Sequence, residues 1–329
     1  MTQRPGEFAL IADYFAPLAG EGTFGLKDDA ATFSVEPGHQ LVITQDASAE
    51  NIHFLDDDPA DLVARKALRV NLSDLAAKGA RAKCFSVALG LGEDWTEEWI
   101  RQFAQGLRED IDQYDIALTG GDTFKTGGGM VISITAIGEI PRDSYVARIG
   151  ASPGDQLFVT GTIGDGALGL LARRDDLSGI SMQDRKYLVD RYQLPQPRLE
   201  FAGTLRKIAT SAMDVSDGLL GDLVKLCDAS GVSAELVLSK VPFSSAVKTA
   251  LEHESNLLET AVTGGDDYEI LFTVSPENIG QLMKLANEAR IAVTCIGEIT
   301  SGEGISVFDR HGEKVEFPSL GYDHSGARN

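Results

Sequence analysis

Cysteine is almost absent from this sequence. The three present, Cys84, Cys227 and Cys295, are odd in number and far apart, which fits neither a disulfide framework nor a C-x-x-C metal site and implies a reducing compartment. Long hydrophobic runs are missing as well. No stretch approaches the ~18 apolar residues of a membrane span, and Met1 to Ile11 carries no basic segment followed by an apolar core. Both absences predict a cytoplasmic protein with no membrane partner. Basic charge is the third shortage. Lys and Arg number 29 against 50 Asp and Glu, a formal charge of -21 that repels phosphate backbones and excludes nucleic acid as a partner. Most of these carboxylates serve solubility, and the run Asp56-Asp57-Asp58 is expected to be solvated.

What the chain does have is length and glycine. Its 329 residues suit two domains of ~100 to 200 residues each, and 35 glycines are spread along it. Asp58-Pro59-Ala60 reads as a helix start, with Asp58 at the cap and Pro59 at the first helical position. An apolar pattern then runs through Leu62, Ala67, Leu68, Leu72 and Leu75 to a stop at Gly79. Met130 to Ile140 alternates like a strand. The segment Pro141 to Gly154, with its prolines and glycines, is the expected boundary between domains of residues 1–145 and 146–329. Beyond it a strand is expected over Gln156 to Thr160, with helices over Asp165 to Arg173, Arg198 to Ile208 and Ser216 to Asp228. The last of these would be capped by Ser216 and stopped near Gly231. The fold class is therefore mixed α and β (α+β or α/β) in both halves.

Five short segments set an aspartate beside glycine, serine or threonine and next to an apolar element. They are Lys27-Asp28-Asp29-Ala30, Thr44-Gln45-Asp46, Asn71-Leu72-Ser73-Asp74, Gly120-Gly121-Asp122-Thr123 and Asp214-Val215-Ser216-Asp217-Gly218. Such a set suits a hard cation, because magnesium takes oxygen ligands and is usually held by a few carboxylates together with substrate phosphates. Taken singly, each is more often a cap or turn residue. Asp74 stands out because a carboxylate among Leu72, Leu75 and Ala76 inside a helix needs a partner. Asp29 stands out because Asp28 beside it makes a like-charge pair that a cation would relieve.

Ser216 and Asp217 open a helix whose unpaired amides suit a phosphate, a plain N-cap being the alternative. Arg148, in the linker, is a candidate to reach a phosphate, although a solvated arginine is the commoner outcome. His53 reads as a satisfied core histidine in a strand-like stretch. Gly164-Asp165-Gly166-Ala167-Leu168-Gly169 matches the dinucleotide pattern G-x-G-x-x-G. Its acidic turn residue opposes a pyrophosphate, and no clear acidic partner follows ~20 residues on. No G-x-x-x-x-G-K-[ST] occurs, so any nucleotide site is not a P-loop.

In this order and spacing the segments resemble the thiamine-monophosphate kinases of the PurM/AIR-synthetase-like superfamily. The residues that carry the resemblance begin with Gly6-Glu7-Phe8, Asp28-Asp29-Ala30-Ala31, Asp46, His53-Phe54, Lys66-Ala67-Leu68 and the run Asn71 to Ala77. Gly120 to Thr123, Asp214 to Leu219, Gly264-Gly265-Asp266-Asp267-Tyr268-Glu269 and Gly321-Tyr322-Asp323-His324 complete them. The resemblance implies a two-domain PurM-like fold, a homodimer whose amino-terminal domains pair through their sheets, and ATP bound in a cleft between domains. Its implied metal ligands, for several magnesium ions, are Asp29, Thr44, Gln45, Asp46, Asp74, Asp122, Asp214 and Asp217. The implied ATP contacts are Gly121, Asp122, Arg148 and Ser216, and the implied acceptor contacts are His53, Asp266 and Ser319.

The implied reaction passes a phosphoryl group from ATP to thiamine phosphate, giving ADP and thiamine diphosphate. Its nucleophile is a phosphate oxygen already anionic near neutral pH, so no general base is expected and Asp46, Asp74 and Asp122 would carry the chemistry with the metal. Two alternatives stand beside this. One is another ATP enzyme of the superfamily with a different phosphorylated acceptor, and the other is a non-catalytic acidic metal-binding protein. Three positions depart from the family pattern: Gln45 for threonine, Asp266 for the glutamate of Gly-Gly-Glu-Asp, and Ser319 for an aromatic.

Overall fold

The computed structural model describes residues 4–321 and falls into two units, Met1–Leu75 with Ala80–Asp143, and Ala76–Gly79 with Ser144–Asn329. The first holds helices α1 (Glu7–Leu10), most of α2 (Ala60–Ala77) and α3 (Glu97–Tyr114), and strands β1 (His39–Ala49), β2 (Arg81–Leu91), β3 (Ala117–Lys125) and β4 (Val131–Pro141). Its sheet runs in the order β1-β4-β2-β3, antiparallel except for the β2/β3 pair. A parallel pair needs a long crossover, and α3 provides it.

Helix α3 starts where the Thr96 hydroxyl accepts the Trp99 amide at 3.1 Å, with Glu97 and Glu98 in its first turn. Ile100, Phe103, Leu107 and Ile111 give it one buried stripe at three- and four-residue steps. Helix α2 is different. In place of the expected single stripe it is buried on nearly all sides, for Lys66, Arg69, Asn71 and Ser73 are buried together with Val63, Leu68 and Leu75. A buried guanidinium needs a partner. Arg69 has Asp110 of α3, with Nε to Oδ2 and Nη2 to Oδ1 both at 2.8 Å, and Arg65 one turn earlier donates Nε to Oδ1 at 2.9 Å.

That clamp sets the rotation of α2. On its other side Asn71 and Asp74, three residues apart and so on one face, meet β1. Asn71 Oδ1 accepts the Asp46 amide at 3.0 Å, and Asp74 Oδ2 accepts the Thr44 hydroxyl at 2.5 Å. The helix begins at Ala60, just after Pro59, and Gly79 beyond its end is left-handed at φ 74°. Asp58 does not belong to a solvated run. It is 7% exposed, and its carboxylate accepts the Leu55 amide at 2.8 Å.

The second unit carries, in order, β5 (Gln156–Thr160), α4 (Asp165–Arg173), α5 (Met182–Gln193), α6 (Ala202–Ile208), β6 (Ala209–Asp214) and α7 (Leu219–Ser230). There follow β7 (Ser233–Val237), α8 (Ser245–His253), α9 (Leu257–Thr263), β8 (Ile270–Val274), α10 (Ile279–Ala289), β9 (Val293–Thr300), β10 (Ile305–Phe308) and β11 (Lys314–Val315). The sheet order is β11-β10-β7-β9-β5-β8-β6, with β10/β7 its parallel pair. Helices cover both faces, which is why β8 is buried along its length without alternation. On one face Leu157, Val159 and Leu271 pack with Leu219, Leu220 and Leu223 of α7. On the other, Phe158 and Phe272 pack with Leu205 of α6 and Leu282 of α10.

The strand Gln156–Thr160 and the helix Asp165–Arg173 stand at their expected bounds. The helix expected over Arg198 to Ile208 is a 3-10 turn at Leu199–Phe201 followed by α6. The one expected from Ser216 starts at Leu219. Its N-cap is Gly218 at φ 110°, with no side-chain cap, and it ends on left-handed Gly231. Tyr322, Asp323 and His324 lie outside the described residues. Among the described residues no helix is long and apolar enough to cross a membrane.

Candidate active site

In the first unit the chain from Asp28 to Ala31 lies opposite β2 and β3 across a cavity of roughly 330 Å³. Asp28, Asp29 and Asp122 line it together with Gly120 and Gly121, and Ile11, Phe15 and Phe33 make an apolar part of the wall. The cavity is thus polar where the carboxylates stand and apolar where the aromatic rings stand. The glycine pair has two separate causes. A Cβ at Gly121 would collide with the Val87 carbonyl oxygen on the adjoining strand, so the fold itself requires glycine there. At Gly120 a Cβ would meet nothing within 4 Å. Its bareness serves the cavity and leaves room for a ligand to approach the backbone.

Strand alternation divides the expected Thr44-Gln45-Asp46 triplet. Thr44 and Asp46 face α2 and its Asp74 and Asn71, whereas the Gln45 side chain turns to the open face and donates Nε2 to Ser133 Oγ at 3.0 Å. His53 lies in a turn, not the strand-like stretch expected. Asn51 before it is left-handed at φ 61°, and the Ala49 amide donates to His53 Nδ1 at 3.1 Å. Lys66 of α2 holds the His53 carbonyl at 3.0 Å. The donors in this unit are carboxylate and hydroxyl oxygens, the set a hard cation takes. Among the described residues no three His, Cys, Asp or Glu side chains form a ready-made metal cage. Magnesium commonly takes only one or two carboxylates and fills the rest with phosphate and water, and the cavity has space for both.

In the second unit Asp214 ends β6, and Ser216 and Asp217 follow it into α7. Their amides are not free for a phosphate as expected. Asp222, fully buried in the first turn of α7, accepts the Ser216 and Asp217 amides at 2.9 and 3.0 Å. Lys225 donates to Asp222 at 2.8 Å and also pairs with Asp217. Burial raises the Asp222 carboxyl above its ordinary value against the pull of Lys225. The Gly264–Glu269 loop is laced to this segment, Asp266 N to Ser216 O at 3.0 Å and Tyr268 N to Val215 O at 2.8 Å. The Leu320–Gly321 stretch lies against Gly221 of α7, so the Ser319 end of the chain reaches the same corner. Arg148 is exposed.

The G-x-G-x-x-G match at Gly164 is settled by geometry. Its turn opens α4, but the Gly164 and Gly166 amides donate to the buried Asp267 carboxylate at 2.7 and 2.9 Å, occupying the place a pyrophosphate would need. Asp222 and Lys225 are not legible in the sequence as site residues. An acid in the first turn of a helix is the one signal that points to Asp222.

The family model for AIR synthase related protein, N-terminal domain, matches residues 27–140, and that for its C-terminal domain matches residues 152–310. The thiamine-monophosphate kinase of Caulobacter vibrioides is 40% identical over 97% of this chain and 91% of that protein. This chain belongs to the thiamine-monophosphate kinase family. The crystal structure of thiamine-monophosphate kinase from Stenotrophomonas maltophilia K279a is similar at 37% identity with a TM-score of 0.80, covering 88% of this chain and 91% of that one. AaThiL complexed with AMPPCP and TMP is similar at 32% identity with a TM-score of 0.77, covering 98% and 99%. The architecture is the two-domain PurM-like, mixed α/β fold of the thiamine-monophosphate kinases. Of the three departures from the family pattern, Gln45 faces Ser133, and Ser319 is exposed with its hydroxyl on the Gly321 carbonyl at 3.1 Å. Asp266 accepts the Tyr268 hydroxyl at 3.1 Å.

Proposed function

We propose that this chain transfers a phosphoryl group from ATP to thiamine phosphate, yielding ADP and thiamine diphosphate. One observation carries the reading. The relative complexed with AMPPCP and TMP is similar along 98% of this chain, and Gly121 and Asp122, two of the four expected ATP contacts, line the cavity of the first unit. The acceptor's nucleophilic oxygen is anionic near neutral pH, so the protein's work is to position two phosphates and oppose their repulsion. Gly120 lets the ATP phosphates come close to β3, and the apolar wall of Ile11, Phe15 and Phe33 suits a purine ring. We assign Asp29, Thr44, Gln45, Asp46, Asp74, Asp122, Asp214 and Asp217 to magnesium, Gln45 other than through its outward-facing side chain. Magnesium, when bound, supplies positive charge between the meeting phosphates. Gly121, Asp122, Arg148 and Ser216 are assigned to ATP, and His53, Asp266 and Ser319 to the acceptor.

An ADP-release assay with thiamine phosphate, thiamine and other phosphorylated acceptors in parallel tests the function. ADP release with thiamine phosphate and not with thiamine supports it. Equal release with every acceptor, or none with any, overturns it.

Residues 1–145 form the ATP- and magnesium-binding and dimerisation domain in this reading, and residues 146–329 the second PurM-like domain. Support for a homodimer comes from β1, an edge strand whose outward side exposes Leu41 at 38% and Ile43 at 63%. An edge strand with exposed apolar side chains on its open face is normally covered. Sedimentation at micromolar concentration is expected to give twice the 35.2 kDa chain mass, and a species at the single-chain mass alone would remove the dimer. A cytoplasmic location agrees with the free cysteines Cys84, Cys227 and Cys295.

A further inference from the structure

The loop Gly264–Glu269 joins α9 to β8 in an unusual backbone conformation. Two residues with side chains, Asp266 at φ 73° and Tyr268 at φ 52°, are left-handed. Non-glycine residues stay there only where the surroundings over-determine them. Alternate residues supply that constraint. A Cβ at Gly265 would collide with the Ser216 carbonyl oxygen, so this residue lies flat on the neighbouring segment. Asp267, 1% exposed, fastens the loop to the α4 amides, and burial pushes its carboxyl well above the ordinary range. Glu269, fully buried, accepts Thr160 Oγ1 at 2.7 Å, Arg198 Nε at 2.6 Å and Arg191 Nη2 at 3.1 Å.

With those residues turned inward, Asp266 and Tyr268 are the half-buried pair left on the outer side of the loop, and they bond to each other. We propose that Tyr268 is a positioning residue for the phosphoryl acceptor, its hydroxyl fixing the plane of the Asp266 carboxylate so that this group meets an N–H donor of the acceptor. The inference rests on the assignment of Asp266 to the acceptor site. Aspartate is one methylene shorter than the glutamate of the family pattern and leaves fewer rotamers to hold. A single hydroxyl on a rigid loop suffices to aim it. Arg191, Arg198, Asp267 and Glu269 act one step further back, by holding the backbone that carries the pair.

The test uses Tyr268→Phe, Asp266→Ala and the double variant in the full chain, with KM for thiamine phosphate, KM for ATP, kcat and melting temperature measured for each. Tyr268→Phe removes one hydrogen bond to a charged group and keeps the ring. It is expected to raise KM for thiamine phosphate about three- to tenfold while KM for ATP and the melting temperature stay near those of the parent. Asp266→Ala is expected to raise the same constant at least as much, and the double variant to be no worse than Asp266→Ala alone, since the tyrosine works only through the aspartate. An unchanged constant in Tyr268→Phe beside a raised one in Asp266→Ala overturns the positioning role. So do additive effects in the double variant, or an equal rise of both KM values with a lower melting temperature. An unchanged thiamine phosphate KM in Asp266→Ala sinks the underlying assignment instead.

Discussion

Changing Asp74 or Asp122 to Asn is expected to lower turnover with ATP and thiamine phosphate by roughly 10²- to 10³-fold, the size of loss seen when one preorganised electrostatic group is removed from a transition state. Each change keeps the shape of the side chain and deletes its charge. Asp122 is exposed on β3 at the mouth of the cavity and supports no buried partner, so its loss leaves folding untouched. Asp74 is half-buried and accepts the Thr44 hydroxyl, which an asparagine oxygen also accepts. Both variants should therefore melt near the parent. A turnover loss with an unshifted melting curve separates charge at the site from damage to the fold. Full turnover in both natively folded variants would sink the role of these carboxylates.

Asp74 is legible from the sequence alone because a carboxylate inside an apolar helix has no cheap way to exist without a partner. The identity of that partner is not. Thr44 is thirty residues away, and its hydroxyl reaches Asp74 only because β1 and α2 pack face to face. The same limit explains α2 as a whole. Its Leu and Ala positions trace one stripe, whereas Lys66 and Arg69 outside that stripe are buried as well, Lys66 against the His53 carbonyl and Arg69 against Asp110 of α3. Periodicity reports one covered face and is blind to a second.

Local chemistry misleads in a different way at Ser216. Serine followed by aspartate and glycine looks like an N-cap, but Gly218 carries the helix entry at φ 110°, and Asp222 reaches back to serve the amides that Ser216 is expected to leave open. Several polar side chains are available to cap that turn, and only tertiary geometry selects among them. At Asp165–Arg173 nothing competes, because Gly164 and the end of the apolar run bracket the helix, and its bounds follow directly.

The largest loss of stability is expected from Asp110→Ala. Asp110 is fully buried, Arg69 is 1% exposed, and Arg65 is largely covered, so truncation takes the carboxylate from a buried guanidinium and leaves it facing the neutral Gln113 oxygen at 2.9 Å, while Arg65 keeps Glu109 at 2.7 Å. Breaking a buried pair from one side costs about 3 to 5 kcal/mol. For a chain of this size that corresponds to a fall of roughly 4 to 7 °C in melting temperature. Arg69 also stacks over the Tyr114 ring at 5.3 Å, a contact that holds its place but does not discharge it. The cause can be separated from simple loss of packing. Pairing Asp110→Leu with Arg69→Met removes the stranded cation and restores apolar volume, so this double variant should melt well above Asp110→Ala. If the two melt alike, the cost lies in packing and not in the unpaired charge. The clamp also fixes the rotation that presents Asn71 and Asp74 to β1. Any Asp110→Ala protein that remains folded should therefore lose turnover, although Asp110 lines no part of the cavity. Unchanged turnover in folded Asp110→Ala would mean that β1 alone holds α2 in register.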